Sequence, residues 1–204
     1  MGPLLIGVLL FFGIGILVAL IVGGMGVGIY NRLIALRNDF KNQFSQIDVQ
    51  LKRRHDLIPN LVETAKGYMA HERGTLDEVV AARNGAMAAR QQAVANPSDP
   101  AVVQKVVAAE GVLTQSLGRL FAVAEAYPDL KANQTMLQLQ SQLTETENRV
   151  SLARQAYNES VRNYNTQREI FPNSLLAGIF NFAPASLYEI GDPGDREVPK
   201  VLFT

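Results

Sequence analysis

Cysteine is absent from all 204 residues. Disulfides, thiolate metal ligands, thiol nucleophiles and a lipoprotein-type acylated cysteine are therefore excluded. Tryptophan is absent too, and aromatic residues make up only 7%. Neither sign of charge is in surplus, since 19 Lys and Arg balance 19 Asp and Glu. Binding of phosphate backbones needs a basic excess, so no nucleic-acid partner is expected. Histidine occurs twice, as His55 and His71. Neither has a Glu three residues before it, as a di-iron bundle site requires. Neither stands in a zinc-binding spacing or beside evident triad partners. No glycine loop joins a strand to a helix, so a nucleotide site has no support. The expectation is a non-enzyme with no catalytic residue, metal or cofactor.

Charge is also missing from Pro3 to Tyr30, a run of Leu, Ile, Val, Phe, Gly and Ala. About 20 apolar residues cross a bilayer core as a helix. A cleaved signal peptide would want a basic leader and a shorter apolar run. The run therefore predicts an uncleaved transmembrane anchor over residues 1–30, with the lipid bilayer as a partner. Arg32, Arg37 and Lys41 follow it. Positive charge favours the cytoplasmic side, which puts the N-terminus out and the rest of the chain in the cytoplasm. The alternative orientation puts that domain in the periplasm. Within the anchor, Gly15, Ala19 and Gly23 fall on one helix face, and Gly24 and Gly28 repeat the spacing beside it. Small residues four apart let helices approach closely in lipid, so self-association into a homo-oligomer is expected.

Residues 31–168 read as four helices. Leu33, Leu36, Phe40, Phe44, Ile47 and Leu51 step by three or four, and Ile58, Val62, Ala65 and Met69 resume the stripe. Pro59 interrupts it and predicts a helix kink near Leu57. No breaker separates Tyr30 from Asn31, so the anchor and the first helix should form one rod. Thr75 and Glu78 have capping-box spacing ahead of a second helix to about Val94. Asp99-Pro100 reads as the cap and first residue of a third helix. Its stripe is Val103, Val106, Glu110, Leu113, Leu117, Leu120, Ala124 and Tyr127. A fourth helix is expected from about Asp129 to Arg168, with the seam Met136, Gln140, Leu143, Glu147, Val150, Arg154, Tyr157, Val161 and Tyr164. Short connections between four one-faced helices imply an antiparallel four-helix bundle, all-α, with long first and last helices.

The tail, residues 169–204, is apolar. Leu176, Ile179, Phe180 and Phe182 lie in a short predicted helix, and are expected to dock on the bundle, the membrane or a neighbouring subunit. Asp192-Pro193-Gly194-Asp195 reads as a turn before the strip Val198, Val201, Leu202 and Phe203. Arg54, Arg83, Glu110, Glu147 and Arg154 are assigned to core-facing stripes. A buried unpaired charge is costly, so these should pair with one another or with Gln140 as a network that fixes helix register.

Several blocks point to a known family. They are Tyr30-Asn31-Arg32-Leu33, the run from Ser45 through Arg54-His55-Asp56-Leu57-Ile58-Pro59 to Glu63, Glu125-Ala126-Tyr127-Pro128, Tyr157-Asn158, Tyr164-Asn165-Thr166 and Phe171-Pro172. Together they resemble the LemA family over nearly the whole chain. Two departures stand out: Phe44 where a Trp is expected, and Asn181 where a Gly is expected. The resemblance implies a single N-terminal membrane helix on a four-helix domain, in the bacterial inner (cytoplasmic) membrane. It brings no enzymatic activity, and in some members it is associated with membrane remodelling in magnetosome formation. Two functions follow. One is a membrane-anchored scaffold that self-assembles and organises or remodels the membrane. The other is a sensory or adaptor module whose bundle binds a ligand or an unidentified protein client, which predicts a real pocket among the helices.

Overall fold

The computed structural model describes residues 2–189. The turn expected at Asp192–Asp195 and the strip ending at Phe203 lie outside the described residues. The chain is helical, with no strand among the described residues. The first helix, α1 (Pro3–Lys66), runs 64 residues without interruption. From Leu9 to Met25 every residue is exposed. That stretch is apolar enough to cross a bilayer, with a mean hydropathy of 2.5. The remainder of α1 turns apolar on one face only, and Leu33, Phe40, Phe44, Ile47, Leu51, Ile58, Leu61 and Ala65 are buried. Anchor and bundle thus share one backbone hydrogen-bond ladder, as the lack of a breaker at Tyr30 predicts.

Three further long helices complete the bundle: α2 (Arg73–Ala95), α3 (Pro100–Ala124) and α5 (Gln134–Glu169). Neighbours run antiparallel: α2 crosses α1 at Arg83–His55 and Arg90–Asp48, and α5 crosses it at Glu147–Arg54 and Tyr164–Phe40. Helices α1 and α5 are the longest and extend past the α2–α3 turn toward the anchor. The α3 start follows the sequence reading: Asp99 Oδ1 accepts from the Ala101 N–H at 2.9 Å, with Pro100 as the first helical residue.

Two boundaries differ from the expectation. Thr75 and Glu78 form no capping box, because α2 begins at Arg73 and places Gly74 and Thr75 inside its first turn. First-turn N–H groups have no helical partner in any case, so Gly74 does not stop the helix there. Glu78 pairs instead with Arg119 on α3 at 2.7 Å. The expected single helix from Asp129 is also divided, into one turn, α4 (Pro128–Lys131), and α5. Asn133 breaks it by taking a cap position, its Oδ1 accepting from the Met136 N–H at 3.0 Å. Asparagine gains more at a cap than inside a helix.

The described part of the tail, residues 170–189, folds back on its own bundle. A short helix, α6 (Asn173–Ile179), buries Asn173 and Ala177 and ends in a Schellman turn. The Phe182 N–H reaches the Ala177 carbonyl at 2.9 Å, and the Asn181 N–H reaches that of Gly178 at 3.3 Å. This turn requires a left-handed residue, and Asn181 supplies it at φ 52°. That is the position where the family resemblance expects glycine, and asparagine is the side chain that best tolerates this conformation.

Candidate functional site

Buried apolar residues form two clusters. One gathers Leu33 to Leu51 with Val103 to Val107 and Val150 to Tyr164; the other gathers Ile58 to Met69 with Leu113 to Ala124 and Met136 to Leu143. Between them lies a polar layer built from one turn of each of α1, α3 and α5. Arg54, 5% exposed, directs Nη1 to Glu110 at 3.3 Å and to Glu147 at 3.1 Å, and Nη2 to the Thr114 hydroxyl at 2.8 Å. His55 places Nε2 2.7 Å from the other Glu110 oxygen. Its Nδ1 has no hydrogen-bond partner among the described residues. One buried carboxylate therefore serves two neighbours from α1, which Arg54 and His55 present side by side.

Arg83 joins this layer by a route that depends on Pro59. Proline has no N–H, so the His55 carbonyl, four residues earlier, loses its helical donor. Arg83 Nε donates to that carbonyl at 2.8 Å. The helix passes through Pro59 unbroken because a side chain from α2 replaces the missing bond.

The structure thus brings together Arg54, Glu110 and Glu147, with Arg83 one turn away. Gln140 takes no part, and its assignment to the seam is corrected. It is exposed, and Leu139 and Thr146 face inward where Gln140 and Glu147 were expected. In this half of α5 Met136, Leu143 and Val150 are buried as expected, and only the buried positions between them fall one residue earlier. The Thr146 hydroxyl is satisfied by the Gln142 carbonyl at 2.7 Å, so it can be buried. Glu147 is left at the rim, its side chain 44% exposed. Arg154 stands apart, its guanidinium 5.3 Å from the centre of the Tyr188 ring. His71, the second histidine, is exposed.

Beside the layer, α3 and α5 face one another across an open cleft of about 330 Å³, lined by Arg54, Thr114, Leu117, Phe121, Leu143 and Glu147 among others. The cleft has one apolar wall and a charged floor already engaged by carboxylates. Among the described residues no three His, Asp or Glu side chains converge as a metal site would need.

The tail clamp is a second constellation, which the sequence reading did not assign. Beyond α6, residues 182–188 run extended along α5 in the opposite direction. Asn165 both donates to and accepts from Ala185, at 2.8 and 3.0 Å. Asn158 does the same with Tyr188, at 3.2 and 2.8 Å. The Tyr164 hydroxyl donates to the Ala183 carbonyl at 2.8 Å, and that of Tyr157 to the Ser186 carbonyl at 2.9 Å. A Tyr-Asn pair therefore occurs twice, seven residues apart, and each grips two tail residues. Seven helical residues advance about 10.5 Å and three extended residues about 10 Å, so the two repeats stay in step. The signal in the sequence was this repeat of Tyr-Asn at heptad spacing.

Burial raises the phenol pKa of Tyr157 and Tyr188 well above the ordinary tyrosine range. Tyr164 is raised for the same reason, with Arg168 and Arg37 pulling back the other way. Of the four tail residues expected to dock, Phe182 is buried under Tyr30 and Arg37, and Leu176 is half-buried. Ile179 and Phe180 remain 70% and 53% exposed. The anchor positions Gly15, Gly23, Gly24 and Gly28 face open space, with no atom within 4 Å of where a Cβ would stand; Ala19 is exposed.

Comparison with known proteins agrees with this architecture. Magnetosome proteins MamQ 2 and MamQ 1 of Paramagnetospirillum magneticum are each 25% identical, over 83% of this chain and 68% of theirs. Magnetosome protein MamQ of Magnetospirillum gryphiswaldense is 23% identical over the same shares. An apolar N-terminal helix and these relatives mark a membrane-associated helical protein. Residues 43–203 match the LemA family, and the chain is a member of it.

Proposed function

We propose that this protein is a membrane-anchored helical scaffold that self-assembles through its anchor and organises or remodels the bilayer. The observation that carries the reading is α1. One uninterrupted helix is bare and apolar over its first part and core-forming over the rest. A bundle on such a shaft follows whatever its anchor does. The open glycine face offers a close-packing surface in lipid, where helix association is driven by packing. The relatives described above are magnetosome proteins, which supports a role at a membrane. The bundle is placed on the cytoplasmic side of a bacterial inner membrane, on the strength of Arg32, Arg37 and Lys41. No catalytic role is proposed.

The test is the mass of the full-length protein in mild detergent. A discrete oligomer that dissociates in Gly15→Leu and Gly23→Leu is the expected result. A monomer unaffected by either substitution removes the scaffold reading.

The α3–α5 cleft favours a second reading, an adaptor that takes a ligand or client between those helices. It predicts a monomer or dimer in which Gly118→Arg, at the exposed edge of the cleft, abolishes client binding while leaving the oligomeric state unchanged.

A further inference from the structure

From Ile170 to Tyr188 the chain carries no charged side chain. Within that stretch Phe171, Leu175 and Ile179 are 79%, 60% and 70% exposed, and Phe180 is 53% exposed. Leu175 and Ile179 lie on the outer side of α6, opposite the buried Asn173 and Ala177, while Phe171 precedes the helix and Phe180 follows it beside Tyr30. A soluble surface seldom exposes four large apolar side chains within so short a stretch, residues 171–180, without a partner.

The position of α6 identifies the partner. Leu176 and Phe180 share an apolar cleft of about 340 Å³ with Gly23, Gly26, Val27 and Tyr30 of α1. Gly23 belongs to the exposed apolar stretch, and Val27, itself exposed, lies just beyond its end. The Tyr30 ring meets Phe180 edge-on at 4.9 Å. Tyrosine concentrates at the headgroup level of a membrane, and Arg32 follows two residues later. A bilayer that covers Gly23 to Val27 therefore reaches the outer face of α6 as well.

We propose that α6, with Phe171, is a second membrane contact: a short helix lying in the headgroup–acyl boundary of the leaflet nearest the bundle. Its apolar side chains enter about 5–10 Å deep, as interfacial helices do. The inner face of α6 stays on α1 and α5, so this wedge is fixed to the bundle and cannot detach from the anchor. It adds cross-section to one leaflet only. The inference stands on the anchor, and does not require self-assembly.

The absence of cysteine and tryptophan makes the test clean. Full-length Leu175→Cys and Ile179→Cys, spin-labelled, are placed one copy per nanodisc of phosphatidylcholine and phosphatidylglycerol. Val18→Cys in the anchor and Val112→Cys on the exposed bundle surface are the references. Oxygen collisions should exceed those of a water-soluble nickel chelate at Leu175→Cys and Ile179→Cys, as at Val18→Cys, and the reverse should hold at Val112→Cys. In parallel, Phe171→Trp should be quenched by lipids brominated near the headgroup end of the acyl chain more than by lipids brominated near its terminus. Labels that behave like Val112→Cys, with no quenching of Phe171→Trp, overturn the proposal. Protection that appears only when several copies share a disc also overturns it, because the face then belongs to a second copy. A scaffold test that fails while these labels stay lipid-exposed would remove self-assembly and leave this contact in place.

Discussion

The sharpest test at the level of single residues concerns Pro59 and Arg83. Arg83→Met leaves the His55 carbonyl without a donor, and an unsatisfied buried acceptor costs about 1–3 kcal/mol. In a Pro59→Ala background the backbone N–H gained at that position restores the helical bond, so the same Arg83 substitution should cost much less. Urea unfolding of the four variants checks this, and additive losses would mean that Arg83 does not act through that carbonyl. Glu110 offers a second test. Glu110→Gln leaves the buried Arg54 charge with the half-exposed Glu147 as its one carboxylate partner among the described residues, and should lower stability by about 3 kcal/mol. Arg54→Met combined with Glu110→Leu should recover part of that loss in the same unfolding measurement, since an apolar pair removes the burial of charge. Much of this layer was legible in the sequence, because Glu110, Glu147 and Arg54 interrupt otherwise apolar stripes. His55 was not, because a lone histidine carries no periodic signal. Gln140 misled because Met136, Leu143 and Val150 fix the stripe only every seven residues, and either the third or the fourth residue after each can face inward; packing selects the third, Leu139 and Thr146.

Among the elements, the tail clamp depends on pH in a direction its geometry fixes. The Tyr157 and Tyr164 hydroxyls donate to tail carbonyls, and a phenolate cannot donate. Folding raises both pKa values above the ordinary 10.0, so their contribution is complete below that value. It is lost as pH climbs above it. Tyr164 is the less protected of the two, so the clamp should open first at Ala183 and later at Ser186. Limited proteolysis in the tail at rising pH reads this order directly, and cleavage near Leu187 preceding cleavage near Ala183 would refute it. At neutral pH Asn165→Leu removes both bonds to Ala185 and should expose the tail to protease while leaving helix content by circular dichroism unchanged. The helices themselves were visible as periodic stripes and the α3 cap as Asp-Pro. The division at Asn133 and the early start of α2 were not, because caps compete over a residue or two and the winner is set by neighbours: Tyr68 accepts from the Asn133 amide, and the Tyr127 hydroxyl reaches Glu72. The extended segment after α6 had no strand-like alternation to announce it, since its partners are side chains of a helix.

Over the whole molecule, α1 joins lipid to core with no hinge at the boundary among its described residues. The helix advances about 100° per residue, so the bearing of every bundle face about the membrane normal is set by counting residues from the anchor. Gly15, Ala19 and Gly23 point along one bearing, and the α3–α5 cleft along another that cannot drift from it. If two anchors cross at the glycines, the azimuth at which their bundles confront one another is already decided inside the bilayer. Two residues inserted after Gly24 would turn each bundle by about 200° relative to that crossing and present a different face to the neighbour. Seven would return it almost to the original bearing, about 10 Å further out. The anchor acts as an indexing shaft as much as a tether.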